Sequence, residues 1–174
     1  MRKITLGIAC IMIISIQSFS QSTYKNAIGI RFSSFYYDVA SASFKFHVSD
    51  AGAIELNAGV GGRNYPHSNG HYDAFSLTAA GSYQHHFNIN PVPGLRWFIG
   101  GGAIMYNVFS DGGEDYEGFA FGLFPTGGID YKFERIPLNL SADLRPMFFV
   151  TRPDANDNFA TGFGVAARYT LGQR

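Results

Sequence analysis

The stretch "PLNLSADLRP", Pro137 to Pro146, sets Leu138, Leu140, Ala142 and Leu144 against Asn139, Ser141, Asp143 and Arg145. Successive residues of a strand point to opposite faces, so one face is oily and the other carries hydrogen-bonding and charged groups. In a soluble sheet the leucines turn inward to a core, whereas in a transmembrane barrel they turn outward to lipid. The alternation alone does not choose between them.

The same pattern recurs along the chain, with turn signals between the runs and no convincing helical period. Eight runs are legible. Ile28, Ile30 and Phe32 alternate with Gly29, Arg31 and Ser33, and Phe44, Phe46 and Val48 with Ser43, Lys45 and His47. Ile54, Leu56, Ala58 and Val60 oppose Glu55, Asn57, Gly59 and Gly61; Phe75, Leu77, Ala79 and Tyr83 oppose Ser76, Thr78, Ser82 and Gln84. The fifth run, "LRWFIGGGAIMYNVF", is apolar on both sides, and we read Leu95, Trp97 and Ile99 as outward. The sixth sets Ile129, Tyr131 and Phe133 against Gly128, Asp130 and Lys132. The seventh is the opening stretch, and the eighth sets Phe163, Val165, Ala167, Tyr169 and Leu171 against Gly164, Ala166, Arg168 and Thr170.

Connections alternate in length. Asp50-Ala51-Gly52, "NINPVPG" (88–94) and "ERIP" (134–137) are short, while 34–41, "RNYPHSNGHYD" (63–73), "SDGGEDYEG" (110–118) and "TRPDANDN" (151–158) are longer and polar. Short turns at one end, longer loops at the other and an even strand number form the outer-membrane barrel pattern, with both termini periplasmic. Three loop residues ending in Gly52 suggest a type I turn with a glycine bulge, which sets His47 opposite Glu55. At "ERIP" Phe133 pairs with Leu138, so Lys132 faces Asn139 and Asp130 faces Ser141. Counting on, Pro125 faces Pro146. Proline leaves ladder acceptors unpaired, so both prolines are expected at the outer rim, with the strands parting beyond them.

Side-chain size decides which face meets lipid. The apolar rows carry Phe32, Phe44, Phe46, Phe75, Tyr83, Trp97, Tyr131, Phe133, Phe163 and Tyr169, more than an eight-strand interior holds. The opposite rows are small, with spaced charges. Tyr24, Tyr83, Phe87, Trp97, Tyr131, Phe133 and Tyr169 lie toward the short turns. Tyr36, Tyr37, Tyr65, Tyr72, Tyr106, Phe109, Phe148 and Phe149 lie toward the loops. Two aromatic girdles around an apolar band match the two interfaces of a bilayer. The expected fold is an eight-stranded antiparallel up-and-down transmembrane β-barrel, with the leucines of "PLNLSADLRP" facing lipid.

"GIDYKFERIPLNLSADLRP", a strand-turn-strand with Pro after a short turn, resembles the small outer-membrane β-barrel proteins of Gram-negative bacteria, similar to the OmpA transmembrane domain and OmpX. The resemblance spans nearly the whole mature chain. It implies an outer-membrane location, contact with outer-membrane lipid and lipopolysaccharide, and insertion by the barrel-assembly machinery. It implies no activity. The chain departs from the pattern at its end, "YTLGQR", where such barrels often close on an aromatic residue.

"MRKITLGIACIMIISIQSFSQS" has the layout of a secretory signal: Arg2 and Lys3, an apolar run from Ile4 to Ile16, then Ser18-Phe19-Ser20 before the expected cleavage. The run is too short for a membrane anchor of about 20 apolar residues. Gly7 sits where a lipobox around Cys10 usually has Leu. Residues 1–20 are therefore read as a signal peptide and 21–174 as the barrel domain. Cleavage lowers Lys+Arg from 13 to 11 against 13 Asp+Glu, near −2, and removes the only cysteine. That leaves no disulfide framework, no thiol nucleophile, and no basic excess for nucleic acid.

The chemistry-bearing residues have bland readings beside sharp ones. Arg31, Lys45, Lys132, Arg145 and Arg168 with Glu55, Asp130 and Asp143 are expected in the lumen, where charge is tolerated when paired. A charged pore is the competing reading, but eight strands leave no open channel. The excess of two bases leaves room for a trapped anion or water. His85 and His86 point to opposite faces; His67, His71 and Asp73 share one loop without a carboxylate-rich cluster, so no metal or cofactor site is assigned. "HSNG", His67 to Gly70, is similar to the His-x-Ser-Asn signature of lipid A deacylases, but His and Ser are adjacent and no Glu follows until Glu114. A triad needs a base oriented by a third group, and no catalytic residue is assigned. The acidic loops offer oxygen ligands for calcium without an EF-hand order. Tyr36, Tyr37, Tyr65, Tyr72 and Tyr116 suggest an adhesive surface or the outer girdle. The functional expectation is a non-enzymatic structural barrel, with an unidentified surface ligand at loops 63–73, 110–118 and 151–158. A lipid-modifying hydrolase and a soluble lipocalin-like carrier are the alternatives.

Overall fold

The computed structural model describes residues 24–67, 70–110, 117–154 and 156–172, with backbone alone for 65–67 and 70–72. The expected signal peptide lies outside the described residues. The chain forms eight strands: β1 Asn26–Ser33, β2 Ala40–His47, β3 Gly52–His67, β4 Gly70–Asn88, β5 Leu95–Ser110, β6 Gly118–Lys132, β7 Leu138–Thr151 and β8 Phe159–Leu171. Each pairs antiparallel with its neighbour in the chain, and β1 returns to β8 from Asn26↔Leu171 to Ser33↔Gly164. The sheet is a closed up-and-down barrel.

The alternation places the oily face outside. Ile28, Ile30 and Phe32 are 53, 53 and 51 % exposed while Arg31 between them is 1 % exposed, so water-soluble packing is inverted. In the opening stretch Leu140 and Leu144 are exposed and Asn139, Asp143 and Arg145 are buried. In β5 Trp97 and Ile99 face out and Phe98 faces in, the register expected from sequence. Tyr83, Trp97 and Tyr169 at the short-turn end, with Tyr36, Phe109 and Phe148 at the loop end, remain on the exterior.

Tyr24, Tyr37, Tyr106 and Phe149 do not belong to the girdles; all four are buried. Height along the strand placed them there, but strand parity turns Tyr106 and Phe149 into the lumen. Chain folding outside the strands takes Tyr24 and Tyr37 inward as well.

Two turn expectations have opposite outcomes. At 134–137 Phe133 N–H donates to Leu138 O at 3.0 Å, with Lys132↔Asn139 and Asp130↔Ser141 as expected. At the β2–β3 turn Glu55 lies opposite Lys45, and His47 opposite Ala53, two residues away from the expected register. Gly52 is not in the left-handed region, so no glycine bulge forms. Instead Val48 N–H donates to Gly52 O at 2.9 Å and the Ser49 hydroxyl accepts from Gly52 N–H at 2.8 Å, making Gly52 the first residue of β3. A slip of two preserves every facing.

Two further expectations are corrected. Gly127↔Leu144 and Leu123↔Phe148 share one register, so Pro125 does lie opposite Pro146. No bridge joins 124–126 to 145–147, yet pairing resumes at Leu123 and Gly122 before a bulge at Phe121/Gly122. The strands do not part, because Gly101↔Pro125 and Pro146↔Thr161 hold each from its other side. Residues 63–73 are not a loop: β3 and β4 continue without a bulge to His67↔Gly70. A hairpin satisfies its backbone groups whatever its side chains, and polarity alone had suggested a loop.

The exterior assignment is testable. Ile30→Arg puts a cation halfway along β1 on the lipid face and should cost about 2–4 kcal/mol of folding free energy in bilayers. Unfolding titrations in lipid vesicles would measure it, and a loss near zero would contradict the orientation.

Candidate functional site: the barrel lumen

Inward-facing positions of all eight strands meet in one narrow space. Charge fills the half toward the short turns and aromatic rings fill the half toward the loops.

Glu55 of β3 is the first hub of the charged half. Its Oε1 lies 2.8 Å from Arg145 Nη2 and accepts from Asn57 Nδ2 at 3.0 Å. Its Oε2 lies 2.9 Å from Arg168 Nη2 and 3.7 Å from Lys45 Nζ, and accepts from Gln84 Nε2 at 3.0 Å. Arg168 is fixed in turn by the Ser43 and Ser141 hydroxyls, each at 2.8 Å. Asp130 of β6 is the second hub, accepting from Lys45 Nζ at 2.8 Å, Asn139 Nδ2 at 2.9 Å and Arg96 Nη2 at 3.2 Å. Lys45 bridges the two hubs.

The third hub is Asp143, which takes Arg31 Nη2 at 2.7 Å and Arg31 Nε at 3.3 Å, with Arg145 Nε 2.8 Å away. Arg31 Nη1 also donates to Asp38 Oδ2 at 3.2 Å. The Arg31 guanidinium occupies the space that a side chain at Gly164 would need, so any larger residue there would push Arg31 from its place beside Asp143. Asp38 lies outside the strands; burial raises its carboxyl above the ordinary range, while Arg31 pulls the other way.

At the short-turn end His47 packs edge-on to Tyr24 at 4.7 Å and 5.5 Å from His86. Arg96 Nη2 lies 3.3 Å from His47 Nε2, and a guanidinium only donates, so that nitrogen accepts. Burial raises the Tyr24 phenol well above its usual range, with Asp130 adding to the effect and Arg96 opposing it.

At the loop end the β1–β2 connection folds inward. Tyr37 stacks on Tyr106 at 4.8 Å, and Phe35 stacks on Phe149 at 6.0 Å. The Ser76 and Thr78 hydroxyls donate to Tyr37 O. Tyr37 Oη donates to Asn156 Oδ1 at 2.6 Å, and Asn156 Nδ2 donates to Tyr106 Oη at 3.4 Å. Below this plug remains a cavity of about 10 Å³ beside Arg31, Asp38 and Arg145, large enough for one water. A lipocalin-like carrier would need an apolar cavity in the lumen; this one is filled.

Seven of the eight expected lumen charges lie there. Lys132 does not: its Nζ donates to Phe133 O and, at 3.0 Å, to Ile136 O in the turn at the rim. Arg96, Asp38, His47 and His86 complete the cluster. Arg96 was findable, because an outward Leu95 and Trp97 turn it inward. Asp38 was not, since no period governs a loop. Five cations therefore meet four carboxylates among the described lumen residues, an excess of one rather than two. Each of the five lies within 4 Å of a carboxylate. His47 lies opposite Ala53, not opposite Glu55. His85 is half-buried on the outward row and His86 buried inward, so the two diverge as expected. Among the described residues no group of three or more His, Cys, Asp or Glu is placed to hold a metal. The "HSNG" motif and the side chains of His67, His71, Tyr65, Tyr72 and Tyr116 lie outside the described residues. Tyr37 is part of the plug, leaving Tyr36 on the surface.

No family model matches the chain, and no curated protein does. Solved structures do. Neisserial surface protein A superimposes with a TM-score of 0.55 at 15% identity, over 84% of this chain and 93% of that one. The N-terminal β-barrel domain of Pseudomonas aeruginosa OprF gives 0.50 at 20% identity, over 86% and 100%. Ail, the attachment invasion locus protein of Yersinia pestis, gives 0.48 at 12% identity, over 87% and 99%. At these identities the likeness is one of fold. The fold is that of the small eight-stranded outer-membrane β-barrels.

Removing Glu55 leaves the Arg168 guanidinium buried without a carboxylate beside it, whereas Arg145 keeps Asp143 at 2.8 Å. Glu55→Ala should destabilise the barrel by about 3–5 kcal/mol, measured by denaturant unfolding in micelles. Adding Arg168→Met should recover part of that loss.

Proposed function

We propose that the protein is a non-enzymatic integral outer-membrane barrel with a structural role in the envelope, both termini periplasmic and the longer connections exposed outside. The observation that carries this reading is the inverted pattern: an apolar exterior around a lumen in which each described cation has a carboxylate within 4 Å. Lipid and lipopolysaccharide cover the exterior, and the barrel-assembly machinery inserts the chain. Every hub carboxylate is engaged by cations from other strands. The charges therefore tie strands together, and each described lumen carboxylate has a cation beside it. The hairpin end at 63–73 and the connections at 110–118 and 151–158 are the surfaces for an external ligand.

Membrane fractions run on SDS gels, boiled and unboiled, test the reading. The expected result is an outer-membrane band that migrates faster unboiled, with lipid A mass unchanged on overexpression. A soluble band without a heat shift would overturn the barrel, and a lipid A mass shift would establish a hydrolase.

A further inference from the structure

A cleft of about 220 Å³ opens at the loop end between the β1–β2 connection and the start of β8. It lies above the lumen plug and is separate from the charge network. The buried rings of Phe35, Tyr106 and Phe149 lie beneath it, and Asn156 holds the Tyr37 and Tyr106 hydroxyls, so its base is rigid before any ligand arrives. Tyr36, 58 % exposed, stands at its edge with the Arg63 guanidinium 5.2 Å from the ring centre. Asp157, Ser34 and Thr161 complete the rim.

We propose that this cleft binds one saccharide unit. Among the described residues its lining carries one arginine and one aspartate and no other charge, so neither a phosphate nor an ammonium group is favoured. The volume admits one substituted six-membered ring. The exposed rings of Tyr36 and Phe159 in its lining offer apolar faces to the C–H side of such a ring. The rim supplies a donor-only group in Arg63, an acceptor-only group in Asp157, and hydroxyls that do both, which matches vicinal sugar hydroxyls. Few precisely placed polar groups around an apolar floor is the usual form of a small-ligand site. The sugar comes either from the headgroup of a glycolipid in the same membrane or from a free glycan.

Saturation-transfer NMR with methyl β-glucoside and N-acetylglucosamine tests the proposal on the protein folded in an amine-oxide detergent, which carries no sugar. Millimolar binding is expected for ligands this small. Tyr36→Ala and Asp157→Ala should each weaken it about tenfold, the loss of one good contact, with heat-shifted gel mobility unchanged. Repeating the measurement in phosphatidylcholine vesicles with and without lipopolysaccharide separates the sources. Binding only without the glycolipid identifies its headgroup as the occupant, and binding in both identifies a free glycan. No binding, binding indifferent to both variants, or binding of choline or inorganic phosphate in place of the sugars would overturn the assignment.

Discussion

Hydrocarbon offers no water to an exposed N–H or C=O, and from that constraint the rest of this structure follows. A strand can cross a bilayer only if both its edges are paired, so β1 must return to β8. Closure with eight strands fixes a narrow interior, and every inward residue must fit it. Small residues therefore alternate with a few long charged ones, and the bulky aliphatic and aromatic residues go to the lipid face. The gap in the β6–β7 ladder at Pro125 and Pro146 survives because the outer edges of β6 and β7 remain paired.

A sealed, narrow lumen makes charge expensive unless neutralised, which gives the hubs their form. Glu55, Asp130 and Asp143 each take more than one cation, and Lys45 and Arg145 each touch two hubs. The network joins β1, β2, β3, β5, β6, β7 and β8 across the lumen, where the wall itself links only neighbours. The loop end is closed by different means, stacked rings and an asparagine, since the connection there must be held in place without a ladder.

Strand number, facing and the lipid-facing role of the leucines were legible because period-2 patterning is local and repeats eight times. Facing is also robust: the β2–β3 register slipped by two residues and not one side chain changed face. Arg96 was legible by the same parity. Tyr37, Asp38 and Tyr24 were not, because they lie outside the strands and their direction depends on where the chain turns. Lys132 was misread for a related reason, since a long side chain at a strand end reaches the nearest carbonyls of the turn.

The sequence by itself determined that this chain is an inverted barrel, since alternation, residue size and loop asymmetry are properties of the chain read in order. Only the tertiary structure decided which carboxylate meets which cation. Glu55 and Arg145 are 90 residues apart, and Arg31 and Asp143 are 112 apart. Such pairs depend on how strands across the lumen align in height. That alignment is set by the register of each successive pair of strands, and an alternating pattern fixes register only to within two residues.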